Sequence, residues 1–429
     1  MPEVVLRGAR LVDPASGRDA VTDIAVEDGL VTAVGERPSG ATDVDCDGLV
    51  AAPGLVDLHA HLREPGREDK ETVESGSRSA ALGGFTAVAA MANTEPVADD
   101  VSVIQEVQLL AERAGICDVF AVGAITKGLA GASLTEMGEM AGAGVRIFSD
   151  DGKCVQDARL LRMALEYAKG FDAVIAEHCE EASLAESGQM HEGYHSSVLG
   201  LRAAPSAAEE IIVARDLILA RLTGGRLHLC HLSAAGSVEL VRRARAEGVA
   251  VTAEVTPHHL VLTDEDLTGY DTNLKVNPPI RTADDRDALR AGLADGTIDA
   301  IATDHAPHAI EDKEQEFDHA PPGTIGFETA LAVVLTDLVE PGVISLARAI
   351  QAMSVAPARI LGAAGHGGPV EPGRPANLVV FDPSAEWTVE APFASRSRNS
   401  AFLGRRLRGR VVHTIHRGEL VVQDGKAQR

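Results

Sequence analysis

The chain has 429 residues, is 45% hydrophobic and carries a formal net charge of -25 at pH 7. Such a length suffices for one large core with a small satellite, and the acidic balance argues against nucleic acid or an anionic membrane as partner, because phosphate binding draws on clustered Lys and Arg. The start, Met1 to Arg7, meets charge at once without the apolar stretch of a signal peptide, and the most apolar run, 80–92, is broken by Gly83 and Gly84 and too short to span a bilayer. Five scattered cysteines (Cys46, Cys117, Cys154, Cys179, Cys230), odd in number and without CxxC spacing, fit a reducing cytoplasm.

From residue 1 to about 52 the pattern predicts short strands at 4–6, 23–26 and 30–34, with Asp28-Gly29 as a hairpin turn. The middle of the chain then alternates continuous apolar runs with helical periodicity. The runs fall at 55–59, 85–91, 119–125, 145–149, 173–177, 226–230, 250–255 and 298–302, and helix-like stretches at 101–114, 158–168, 207–221 and 237–247 lie between them. Eight buried strands with intervening helices predict an α/β fold, a (β/α)8 TIM-type barrel over 53–366. From 367 the strand pattern returns, at 377–381 and in a hairpin of 411–416 and 419–422 around Arg417-Gly418. Neither end buries a core alone, so 1–52 plus 367–429 are expected to form one small β-sandwich.

Catalytic groups of such barrels project from the carboxyl ends of the strands. The first run ends Asp57-Leu58-His59-Ala60-His61, and two histidines one residue apart on a strand face the same side. The fourth ends Ser149-Asp150-Asp151, the fifth reaches His178, the sixth His231, and the eighth ends Thr303-Asp304-His305. Four histidines and two aspartates suit two divalent ions with one carboxylate between them. The adjacent His258 and His259 would face opposite sides of a strand, one structural and one behind the ligands. Cys179 and Cys230 read as packing residues, Cys154 as approaching the site, and the basic run from Arg396 to Arg410 as a surface or subunit contact.

The stretch Asp57-Leu58-His59-Ala60-His61-Leu62-Arg63-Glu64-Pro65-Gly66 closely resembles the signature of class I (bacterial) dihydroorotases of the amidohydrolase superfamily. Similarity continues through Met91 to Thr94, Ser149 to Gly152, Ala176 to Cys179, His231 to Ser233, Val255 to His259, Asn277 to Pro279, Ala302 to His308 and Asn399 to Gly404. The resemblance implies that His59, His61 and Asp304 hold one zinc, His178 and His231 a second, and Asp151 bridges them, with Asp150 its competitor and Lys153 a solvated neighbour. It implies Asp304 as the proton carrier, Arg63, Asn93 and His308 around the substrate carboxylate, and Asn277 on the pyrimidine ring. The segment 308–327, rich in charge, Pro and Gly, is expected to cover the site. There Pro322 and Gly323 stand where the family commonly has an aromatic residue before glycine, so Pro322 acts through its carbonyl or shape, while Gly323 keeps its own N–H.

The activity implied is reversible, zinc-dependent cyclisation of carbamoyl-aspartate to dihydroorotate by a cytoplasmic homodimer, with association with aspartate transcarbamoylase possible in this family. The alternatives are a dihydropyrimidinase or allantoinase, or an inactive structural partner of the transcarbamoylase. Arg63 and Asp151 argue against the first two, which typically carry a bridging lysine or an asparagine at the arginine position, and the intact ligand set argues against the third.

Overall fold

The computed structural model describes residues 4–35 and 42–429, so the charged start at Met1 to Glu3 lies outside the described residues. The chain opens with β1 (Val4–Asp13), β2 (Arg18–Glu27), β3 (Leu30–Val34), β4 (Thr42–Asp45) and β5 (Val50–Pro53). β1 and β2 form an antiparallel hairpin that runs from Val4 opposite Val26 to Asp13 opposite Arg18. It extends well beyond the apolar residues that announce it, because Arg10 and Asp19 pair across the strands at 2.7 Å and cross-strand pairs of opposite charge support a ladder.

Eight parallel strands follow at the predicted places: β6 (Leu55–Ala60), β7 (Phe85–Ala90), β8 (Asp118–Ala121), β9 (Ile147–Ser149), β10 (Val174–Glu177), then, after the two-residue pair β11 (Met190–His191) and β12 (Ala203–Ala204), β13 (Arg226–Leu229), β14 (Val251–Val255) and β15 (Ala300–Ile301). Parallel ladders join β6–β7–β8 and β9–β10–β13–β14–β15. Bridges from Gly123 to Phe148 and from Ala60 to His305 close the two seams. The result is a (β/α)8 barrel.

The helices begin and end where local chemistry dictates. Val101–Ala114 starts on Asp100, whose carboxylate accepts from the Ser102 and Val103 amides, and stops at Gly115, which takes φ 60°. Ala158–Ala168 starts on Asp157 in the same way, and Ala207–Thr223 stops at Gly224 with φ 67°. After the barrel come β16 (Leu378–Thr388), β17 (Arg406–His416), β18 (Glu419–Gln423) and β19 (Lys426–Ala427). β16 pairs antiparallel with β5, Leu378 opposite Pro53 and Phe381 opposite Val50. Strands from both ends thus share one nine-stranded sheet among the described residues. Leu6, Leu11, Ile24, Ala51, Leu378 and Ile415 are buried together in its core.

One local expectation is corrected. His258 and His259 lie on a short helix, Pro257–Val261, not on a strand, because the Thr256 hydroxyl caps the His259 amide and Pro257 supplies a pre-set first turn. No helix among the described residues is long and apolar enough to cross a membrane.

Candidate metal centre

The carboxyl ends of β6, β9, β10, β13 and β15 bring the six expected ligands into one buried cluster. Asp151 sits at its middle. Its Oδ2 lies 3.3 Å from His59 Nε2 and 3.5 Å from His61 Nε2, while its Oδ1 lies 3.2 Å from His231 Nε2 and 3.7 Å from His178 Nδ1. The two oxygens of one carboxylate therefore face two separate histidine pairs. Asp304 joins the first pair, with Oδ1 3.2 Å from His61 Nε2 and 3.8 Å from His59 Nε2. Arg63, His231 and Asp304 hold φ values of 62°, 30° and 45°, a left-handed conformation that non-glycine residues adopt at a cost and that clusters at functional sites.

The rival Asp150 is occupied elsewhere. It accepts from the Ile125 and Thr126 amides at 2.8 and 2.9 Å and from the Thr126 hydroxyl. Lys153 is exposed, as expected of a solvated lysine. His305 is engaged elsewhere too. Its ring stacks on Phe327, Nε2 meets Glu71 at 3.3 Å and Nδ1 accepts from the Gly326 amide.

The donor set fits divalent metal. His59 Nε2 is fully buried without a hydrogen-bond partner, and His178 Nδ1 and His231 Nε2 approach to 3.1 Å around the same carboxylate oxygen. Burial opposes charge on His59 and on Asp151, yet the His59 ring is held well above its ordinary pKa by Asp151, and Asp151 well below its own by His59 and His231. Burial likewise opposes the charge of Asp304, and His61 with the other rings holds it low. Imidazoles and carboxylates so placed demand positive charge between them, which a metal ion supplies.

The rings of the expected ligands are held from behind. His61 Nδ1 donates to Asn93 Oδ1 at 2.9 Å, and the Asn277 carboxamide nitrogen lies 3.2 Å from His178 Nε2 and 3.4 Å from Glu180 Oε2. Both asparagines, expected on substrate, contact the His61 and His178 rings here. His59 Nδ1 donates to Glu254 Oε1 at 3.0 Å. Glu254 Oε2 in turn accepts from His228 Nε2 at 3.0 Å, and His228 Nδ1 meets the Thr252 hydroxyl at 2.8 Å. Glu254 is 0% exposed and reaches from β14 past β15 to β6, which requires an inward-pointing side chain. Sequence reasoning passed over it, although an acid inside the apolar run Val251–Val255 was a signal, since a buried carboxylate persists only with partners.

The remaining expected residues surround the cluster. Arg63 Nε donates to Pro307 O at 3.2 Å. His308 Nε2 donates to the Pro322 carbonyl at 2.9 Å, which turns that carbonyl toward His308. Gly323 corrects its expectation, because its N–H donates to Lys275 O at 2.8 Å and is consumed within the fold. The loop 308–327 is packed over Phe317 and Ala320, both buried, with Lys275 Nζ donating to Phe317 O at 2.7 Å. Cys154 stands behind β10, its thiol 3.5 Å from Glu177 Oε2, while Cys179 and Cys230 are buried.

The Dihydro-orotase-like family matches residues 48–237 and the Amidohydrolase family residues 212–422. A dihydroorotase of Streptomyces coelicolor is 52% identical over 431 residues, covering 99% of this chain and 100% of its own, and one of Mycobacterium tuberculosis is 51% identical over 429 residues, covering 99% of each. Among solved structures, the L-hydantoinase (dihydropyrimidinase) of Arthrobacter aurescens superposes with a TM-score of 0.89 at 28% identity, covering 100% of this chain and 98% of its own. With a barrel of amidohydrolase type, a converging His/Asp cluster and half-identical relatives along its whole length, the chain belongs to the dihydroorotase family of cyclic amidohydrolases.

Proposed function

We propose that this chain catalyses the reversible cyclisation of N-carbamoyl-L-aspartate to (S)-dihydroorotate and water, the third step of de novo pyrimidine synthesis. Two zinc ions belong to the proposal, one held by His59, His61 and Asp304, the other by His178 and His231, with Asp151 shared. The observation that carries it is the Asp151 carboxylate, whose oxygens face different histidine pairs. When bound, such a pair supplies an acidified water and a Lewis acid for the ring amide carbonyl. A cytoplasmic location agrees with five cysteines that are all free.

The chain's own residues do the rest. Asp304 would ligate through Oδ1 and use its second oxygen to take the proton of the attacking water and pass it to the ring nitrogen. Arg63, fixed through Nε, turns the fork of its terminal nitrogens to the substrate carboxylate. Burial lowers its pKa to about 10, against the pull of Asp304 and Asp151, and at neutral pH it stays charged. His308, Asn93 and Asn277 frame the same space, and Pro322 and Gly323 bound it on the loop side. Arg63→Ala is expected to raise KM for dihydroorotate by about 10- to 100-fold, the worth of a charge-assisted hydrogen bond, with bound metal unchanged. Metal loss on that substitution would contradict the assignment.

The test of the whole reading is ring opening of dihydroorotate and ring closure of carbamoyl-aspartate by purified protein, with metal counted on the same samples. Turnover of allantoin or dihydrouracil in their place would move the chain to a sibling amidohydrolase, and absence of metal and turnover together would leave a structural role.

A further inference from the structure

We infer that Asn399, carried on the strap 395–399, is a positioning residue for the substrate-carboxylate clamp. This rests on the proposed function and deepens it, and it draws on a stretch of chain far from every ligand in sequence.

The strap reads Ser395-Arg396-Ser397-Arg398-Asn399 and alternates strictly: Ser395, Ser397 and Asn399 are buried, while Arg396 and Arg398 are exposed. This alternation sets one face of the strap on the protein and the other in solvent. It also accounts for part of the basic run noted in the sequence, since those two arginines are the outward half of the strap. The inward half is bonded throughout. The Ser395 hydroxyl and the Arg396 amide donate to the Glu71 carboxylate, the amide at 3.2 Å, and the Ser397 hydroxyl donates to Lys70 O at 2.8 Å.

Asn399 makes the decisive contacts. Its Oδ1 accepts the His308 N–H at 3.2 Å, and its Nδ2 donates to the carbonyls of Ala306 and Gly323, at 3.0 Å each. Its backbone carbonyl accepts from the Ile325 amide at 3.0 Å and the Thr324 hydroxyl at 2.9 Å. One carboxamide thus ties the turn that carries His308 to the turn that carries Gly323. The His308 ring is then trapped between Lys70 Nζ, 3.2 Å from Nδ1, and Pro322 O, 2.9 Å from Nε2. No slack remains, because even a Cβ on Gly323 would lie 2.9 Å from His308 Nε2. Asn399 contacts none of the six metal ligands, so its loss loosens the clamp and leaves the metal centre in place.

The experiment compares wild type, Asn399→Asp and Ser397→Ala for both substrates, with metal content and thermal midpoint measured on each. Aspartate keeps the acceptor for His308 but sets a carboxylate against two carbonyls that need a donor. The expected result for Asn399→Asp is a KM raised about tenfold or more, kcat within about threefold of wild type and full metal content, with a smaller KM rise for Ser397→Ala. Calorimetric titration of dihydroorotate should show the same weakening, and it serves if Asn399→Asp is poorly folded, because Ser397→Ala then carries the comparison. A wild-type KM in both variants, or loss of metal, or a fall in kcat with KM unchanged, overturns the inference. If the wild type neither binds nor turns over dihydroorotate, it is the underlying functional reading that fails.

Discussion

Alanine at Asp151 is expected to strip metal from both halves of the centre and to lower kcat/KM for dihydroorotate by at least about a thousandfold, the scale on which removal of a central charge-stabilising group acts. The expectation follows from how its two oxygens are divided. Oδ2 serves the His59 and His61 side, Oδ1 the His178 and His231 side, and among the described residues no other carboxylate lies within ion-pair distance of both. Asp304 reaches only the first. The matched control is Asp150→Asn, which disturbs the Ile125 and Thr126 turn but touches no ligand, so its metal content should equal that of wild type. Metal analysis and turnover on the same preparations decide the matter. Full metal and full activity in Asp151→Ala would falsify the shared-ligand assignment.

The second large effect belongs to Glu254. Glutamine there is expected to weaken metal binding on the His59 side about 10- to 100-fold, the usual cost of losing a group that orients a ligand imidazole, while the His178 and His231 side keeps its ion. The reason is tautomeric. Glu254 accepts from His59 Nδ1 and from His228 Nε2, which leaves the His59 Nε2 lone pair facing Asp151 and the metal space. Glutamine has one acceptor and one donor and cannot accept from both rings. If its NH2 faces His59, that ring must carry its proton on Nε2, where the metal belongs. Chelator competition and stoichiometry, falling from two ions toward one, measure the effect; unchanged affinity would show that the contact does not orient the ring.

The same residue has a pH signature in metal-free protein. Burial would raise its pKa, but His228 and His59 overcome that and hold it at about 2, below the ordinary 4.5. A depressed folded pKa means that the contribution to stability is complete above about 4.5 and is lost as pH falls toward 2. Glu254→Gln should therefore flatten the acid limb of a stability profile across that window, and an unchanged limb would mean that the histidine contacts give the carboxylate no net stabilisation.

Much of this protein was legible in its sequence. Eight apolar runs announced eight parallel strands because a strand buried on both faces has no freedom to be polar, and the candidate ligands were noticed because they stand at those strands' ends. The helices at 101–114 and 158–168 were legible from their periodicity, and the structure sets their limits at Asp100, Asp157 and Gly115, whose capping chemistry is local. Strands such as Val4–Asp13 and Arg406–His416 were read too short, since their outer halves are polar and held by cross-strand charge pairs such as Arg406 with Glu386. The helix at Pro257 was hidden in a motif read as strand.

What the sequence determined by itself was the eight barrel strands and the residue types at their ends, because periodicity depends on neighbours along the chain. Only the tertiary structure set Asp151 among the histidines and Asp150 on the Ile125 and Thr126 amides, placed Glu254 behind His59, turned Asn93 and Asn277 onto the His61 and His178 rings, and laid Asn399 across the loops of His308 and Gly323. Each of those outcomes depends on which side chain a residue meets after the barrel closes, and residues 195 positions apart, such as His59 and Glu254, leave no mark of that meeting in their local sequence.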